Sequence, residues 1–395
     1  MQSITQHKIY TKGAKGFVRA FVAAFVSAWV SFGFMNDACL DQPKVNPMLE
    51  TGKQPTGTLS RSNSLCKSCN QNHTTAHSME MTLFLVVRAM EASTLWIWNS
   101  TCLRQNAFSA LVTSRISDHL DSAIFAISSG TIMWAWFYLP GRLAKAYENW
   151  IDRMAQVDKR LIDALRTARC GLWKYGEYGG DAVRPLQGMC EDHGLPLEWG
   201  DPKETVPIPC EIVHQGTGPN CHWHAITRFF SSFRSALVAN VPIQLLAKII
   251  TRRRMSLPIL WAGAQDAIRS SSFLAAFVAS MYYSICLART ILGPKLGTYT
   301  GITPQRWDSG LAVAIAAAVS GMSILIEEKR KRSELAMFVA PKALATLVSR
   351  QHDRDPWHRE QLAFSLSVAT LFASVKIKRP PRGLFGRLLK GILSS

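Results

Sequence analysis

The chain has 395 residues, 48 % of them hydrophobic, and carries 45 Lys and Arg against 27 Asp and Glu, a formal net charge of +18. So apolar a chain is excluded from the disordered polyelectrolytes, and its charge narrows the partners to nucleic acid or anionic lipid. The basic residues border apolar segments instead of lining a soluble domain with interleaved aromatics, which argues for anionic headgroups and against nucleic acid.

Residues 1–36 hold Lys8, Lys12, Lys15 and Arg19, no acidic residue, and then the uncharged run 20–36, the pattern of a targeting segment or a signal anchor. Residues 37–77, rich in Pro, Gly, Ser, Thr and Asn, read as a linker. Within it Cys66, Cys69, His73 and His77 are spaced too tightly for a zinc finger.

Region 78–140 is expected to hold membrane helices, with the uncharged run 122–140 the stronger candidate. In 81–98 the apolar residues favour insertion by about 2 to 4 kcal/mol and a central Arg costs about 2.5 to 3.5. Arg88 therefore nearly cancels its surroundings, and Glu91, three residues on, stands where the two can pair on one helix face.

From Arg142 to Ala168 apolar residues recur every three or four positions with charges between, the pattern of one long amphipathic helix in water. Region 141–228 continues into a cysteine- and aromatic-rich stretch, too irregular for a helix and too aromatic for disorder. Here Cys190, His193, Cys210, His214 and Cys221 form a candidate structural cluster, beside His222 and His224. Three readings stay open: a zinc site, a Cys210–Cys221 disulfide, or packed thiols. No GxGxxG, GxxxxGK or HExxH is present, and neither His119 with Asp121 nor His352 with Asp353 has a partner motif, so no catalytic residue is assigned and no cofactor beyond structural zinc is implied.

Region 229–376 is expected to be a membrane helix bundle, with 270–288 and 309–326 as its clearest spans and 229–250, 335–349 and 361–375 as weaker ones. The whole chain then reads as an all-α polytopic membrane protein with five to eight membrane segments. Small residues recur every four positions, Ser271, Ala275 and Ala279 in one span and Gly310, Ala314 and Ala318 in the other, as expected for close helix packing in lipid. Arg252, Arg253 and Arg254 follow one segment, and Lys329, Arg330, Lys331 and Arg332 follow another. Such clusters should face the cytosol, leaving the connector 291–307 of the hairpin formed by 270–288 and 309–326 on the opposite side. The tail 377–395, with Lys376, Lys378 and Arg379 at its entry, is basic and amphipathic and should lie on the membrane surface.

The stretches PIPCEIVHQGTGPNCHWHAITRFFSSF, RRR, QDAIRSSSFL, ILGP and IEEKRKRSELAMFVAPKALATL together resemble the N-terminal cysteine-rich domain of the transmembrane protein 135 family in its fungal form, over roughly Leu186 to Arg350. The resemblance implies a multi-spanning protein of peroxisomal or mitochondrial membranes, associated with lipid handling and organelle dynamics, with membrane lipids, further copies of itself or organelle-membrane proteins as partners. It supplies no catalytic residue, so a non-enzymatic protein is expected. The alternative is an integral membrane enzyme using zinc bound at 190–224.

Overall fold

The computed structural model describes residues 17–32, 77–100, 107–252, 256–348, 356–376, 381 and 383–394. All regular elements among them are helical. In chain order they are α1 (Phe17–Phe32), α2 (His77–Ser100), α3 (Ala107–Tyr138), α4 (Lys145–Ala155), α5 (Lys159–Arg169), α6 (Arg184–His193), the single turn α7 (Cys210–Val213), α8 (Cys221–Arg252) and α9 (Leu257–Leu287). After a π-helical turn, Ala288–Leu292, come α10 (Gly293–Thr300) and α11 (Pro304–Arg306). A second π-helical turn, Trp307–Leu311, leads into α12 (Ala312–Gly321), and α13 (Lys329–Leu347), α14 (Pro356–Lys376) and α15 (Gly383–Ser394) complete the chain.

Two helical stretches among the described residues, Leu257–Thr300 and Pro304–Ile326, are long and apolar enough to cross a membrane. The five to eight segments expected from sequence are thus not confirmed: among the described residues Phe17–Phe32 is apolar but shorter than a span, and the runs 122–140, 229–250, 335–349 and 361–375 are not among the two stretches. The linker 37–77, apart from His77 at the start of α2, and with it Cys66, Cys69 and His73, lies outside the described residues, as do Arg253, Arg254, Lys378 and Arg379.

The chain divides into two compact units, the first comprising Met1–Ser62, Thr74–Leu120 and Ser333–Ser395. In it Phe32 of α1 meets Phe364 of α14 at 5.1 Å, and Gln361 donates to the Trp29 carbonyl at 2.9 Å. The small residues Ala89 and Ala92 of α2 let Leu371 of α14 approach closely, and Phe385 and Leu389 of α15 cover them. Arg88 pairs with Glu91 at 3.0 Å, both side chains buried, with the guanidinium over the rings of Phe84 and Phe385. The tail helix thus turns Phe385 and Leu389 inward while Arg387, Lys390, Leu388 and Ile392 stay exposed.

The second unit, which includes Asp121–Arg332, contains the two apolar stretches. α8 and α9 run antiparallel, tied by Asn240 to Ser271 at 3.1 Å and by Lys248 to Asp266 at 2.9 Å. The end of α3 packs on α12, where Gly321 leaves so little room that a Cβ would lie 2.6 Å from the Ala126 Cα. α12 is buried through Ala312, Val313, Ala316, Ala317, Ser320 and Gly321.

The packing face of α12 therefore differs from the row read in the sequence: Ala314 and Ala318 are exposed. Gly310 is buried for another reason, since its φ of 147° is open to glycine and a Cβ there would sit 2.6 Å from the Trp134 ring. On α9, Ser271 and Ala275 are buried and Ala279 is half-buried. The extra residue of each π turn rotates the following helix relative to a uniform period, so a row counted from Gly310 does not stay on one face.

The long amphipathic helix expected over 142–168 is two helices. Gln156 takes a left-handed conformation with φ of 51°, ending α4, and the Asp158 side chain accepts from the Arg160 amide at 2.8 Å to start α5. The break turns the apolar face of α5 onto a separate small core with Trp173, Leu186, Met189, Ile208 and Ile212. This is the compact cap that the irregular stretch 170–220 builds.

Candidate functional site

The cap meets the ends of the apolar helices at a buried ion pair. Arg289, in the π turn after α9, lies 2.6 Å from Asp308, in the π turn before α12, and their side chains are 5 % and 1 % exposed. That Nε–Oδ1 approach is an ion contact without hydrogen-bond geometry; the guanidinium donates through Nη2 to the Ile208 carbonyl at 2.6 Å and to Asp308 Oδ2 at 3.2 Å. Tyr175 of the cap donates a short hydrogen bond to the same carboxylate and accepts from the Ile208 amide at 3.0 Å. Burial, reinforced by the Asp308 charge, pushes the Tyr175 phenol above its ordinary pKa, so it remains a donor. Gln305 completes the contact, accepting from the Tyr175 amide and donating to the Ala168 and Trp173 carbonyls.

Beside this anchor four ligand-bearing side chains converge. Cys210 opens α7, His214 follows α7 directly, Cys221 opens α8 and Cys286 lies in the last turn of α9; their ligand atoms lie within 4.8 Å of one another. His214 Nδ1 is 2.7 Å from the Gly218 carbonyl, which can only accept, so Nδ1 carries the proton. The other ring nitrogen, Nε2, faces Cys286 Sγ at 3.3 Å with its lone pair. His224, in the first turn of α8, stacks on His214 at 4.4 Å and contacts Thr217 through Nδ1 at 2.8 Å. Burial first, with the Arg228 charge adding to it, lowers the His224 pKa to about 3, so its ring is neutral. The hydrogen bond with Cys286, together with Arg289 and His214, holds the Cys210 thiol below its usual pKa.

Of the residues read as a cluster, the fold brings Cys210, His214 and Cys221 together and leaves Cys190 and His193 out. Cys190 packs in the cap core, where burial raises its thiol pKa. His193, at the end of α6, lies against Gly216 instead. Cys286 takes the vacant place and was hidden by its setting, a single thiol in an apolar run. The one local signal was position, three residues before the charge that ends the run.

The basic residues divide by role. Lys331 pairs with Asp266 at 3.4 Å, and Arg332 donates to the Glu327 and Leu325 carbonyls at 2.7 and 2.6 Å, while Lys329, Arg330 and Lys376 are exposed. Arg252 ends α8.

Among the described residues the regular elements are all helical, two helices are long and apolar enough to cross a membrane, and a cysteine-bearing cap folds onto their joined ends, features that point to a membrane protein. Residues 207–350 match the family model described as the N-terminal cysteine-rich region of Transmembrane protein 135, so this stretch of the chain is similar to that region. The matched segment contains Cys210, His214, Cys221, Cys286, Arg289 and Asp308. No solved structure matches the chain.

Proposed function

We propose that the protein is a non-enzymatic integral membrane protein of an organelle, peroxisome or mitochondrion, which contributes to lipid or solute handling or to organelle dynamics through its helix bundle. The observation that carries the membrane part is the placement of charge along α9 and α12. The uncharged stretch 270–288 is about 28 Å long at 1.5 Å per residue, close to the roughly 30 Å of a hydrocarbon core. Arg289 and Asp308 pair at one end, and Asp266, Arg269, Glu328 and Lys331 pair among themselves at the other.

Large apolar side chains on the outer surface of the same unit support the reading, among them Phe230, Val238, Ile243, Trp261 and Val319. A water-facing surface of that composition would promote association. The cap sits at the Arg289 end, and the α8 terminus at Arg252 and the basic cluster 329–332 after α12 at the other. With basic ends toward the cytosol, the cap faces the opposite compartment.

The non-enzymatic part is supported by the site chemistry: both His214 nitrogens are engaged, and the four converging side chains face one another. The test is fractionation of cells expressing the full chain, followed by imaging against peroxisomal and mitochondrial markers. Retention in carbonate-washed membranes and coincidence with one marker is expected. Release into the wash would overturn the membrane assignment, and coincidence with neither marker the organelle assignment.

A further inference from the structure

The geometry points to a closed structural zinc site formed by Cys210, His214, Cys221 and Cys286, which fastens the cysteine-rich cap to the end of α9. Zinc takes four tetrahedral ligands with Zn–S near 2.3 Å and Zn–N near 2.0–2.1 Å, so neighbouring ligand atoms stand about 3.5 to 3.8 Å apart. Four ligand atoms all within 4.8 Å, including an Nε2–Sγ separation of 3.3 Å, are close to that figure and need only small side-chain rotations.

The orientation of His214 is a second, independent observation. A ligating imidazole characteristically donates its other N–H to a carbonyl or carboxylate, which fixes the tautomer and aims the lone pair at the metal. His214 does this through Nδ1 to Gly218, and the stacked His224 ring holds its plane. Three soft thiolates with one imidazole form a donor set that selects zinc over the hard cations, which require oxygen ligands.

A Cys210–Cys221 disulfide would use two of the four groups and leave the Cys286 thiol and the His214 lone pair converging on it without purpose. Binding instead uses all four: three thiols release their protons to solvent, and the three thiolates and the neutral imidazole each supply one electron pair to Zn²⁺. The complex carries one net negative charge. Four protein ligands leave no open position for water or substrate, so this is a fastening and not a catalytic centre. The inference does not depend on the organelle or on what the bundle handles.

The test is elemental analysis of the full-length protein purified in detergent without chelator, as wild type, Cys286→Ser and Cys190→Ser. One zinc per chain is expected in the wild type and in Cys190→Ser, and less than half in Cys286→Ser. Should Cys286→Ser not fold, alkylation of the wild-type protein read by mass spectrometry serves in its place. Cys210, Cys221 and Cys286 should be protected until a strong chelator is added, with Cys190 unchanged by the chelator. Cobalt exchanged into the wild type should show thiolate charge-transfer absorption and tetrahedral ligand-field bands. Less than half an equivalent of zinc in the wild type, a Cys210–Cys221 disulfide in the unreduced protein, or equal metal loss in Cys190→Ser and Cys286→Ser would each overturn the site.

Discussion

Arg289 and Asp308, nineteen positions apart in the chain, pair at 2.6 Å where the connector between α9 and α12 begins and ends. The pair closes the hairpin, and through Ile208 and Tyr175 it holds the cap on that end. Two charges this deeply buried are costly to place and more costly to separate.

Arg289→Met should therefore destabilise the protein by about 3 to 5 kcal/mol, because it strands a buried carboxylate. The double variant Arg289→Met with Asp308→Leu should recover much of that loss, since neither charge remains. Thermal unfolding of the single and double variants in one detergent checks this; a double variant as unstable as the sum of the singles would show that the two side chains act separately.

Gly321→Leu should cost about 1 to 3 kcal/mol by overpacking, since even a Cβ would approach Ala126 to 2.6 Å. Ala314→Leu, on the exposed face of α12, should stay within about 0.5 kcal/mol of wild type. Equal loss in the two would place the contact on the Gly310–Ala314–Ala318 row instead.

Asp158 starts α5, and its pKa is lowered chiefly by the hydrogen bond from the Arg160 side chain. A carboxylate depressed on folding stabilises the protein fully above its unfolded pKa of about 3.9, and the contribution is lost as pH falls through the folded value. Asp158→Ala should cost about 0.5 to 2 kcal/mol at neutral pH. The difference from wild type should shrink as pH drops below about 4, and a gap that is constant from pH 7 to pH 3 would rule out the ionised cap as its source.

Cys170 is exposed on the cap, whereas Cys190 and Cys286 are buried and Cys210 and Cys221 half-buried. In intact organelles from cells expressing a variant with Cys39, Cys66, Cys69 and Cys102 replaced by Ser, a membrane-impermeant maleimide should leave Cys170 unlabelled. It should label Cys170 once the membrane is opened. Labelling in intact organelles would put the cap in the cytosol and reverse the orientation.

Much of the architecture is legible along the chain because helix periodicity and the lengths of uncharged runs are one-dimensional properties. The bounds of 270–288 and 309–326 follow from where charge stops and resumes, and the compact cap follows from its Trp, Gly, Pro and Cys content. The Arg88–Glu91 pair also needs no tertiary information, since three residues on a helix bring two side chains together. The break at Gln156 was masked because apolar spacing continues across it, and only the Asp158 cap marks the new start.

The chain alone establishes helices, apolar lengths and the sites of charge, because propensity and hydropathy are properties of neighbouring residues. The union of Cys286 with Cys210, His214 and Cys221, the pairing of Arg289 with Asp308, and the choice of Ala316 over Ala314 as a contact came from packing in space. Each depends on the rotation and depth of one helix against another. π turns at 288–292 and 307–311 shift that rotation, and no local pattern of residues records it.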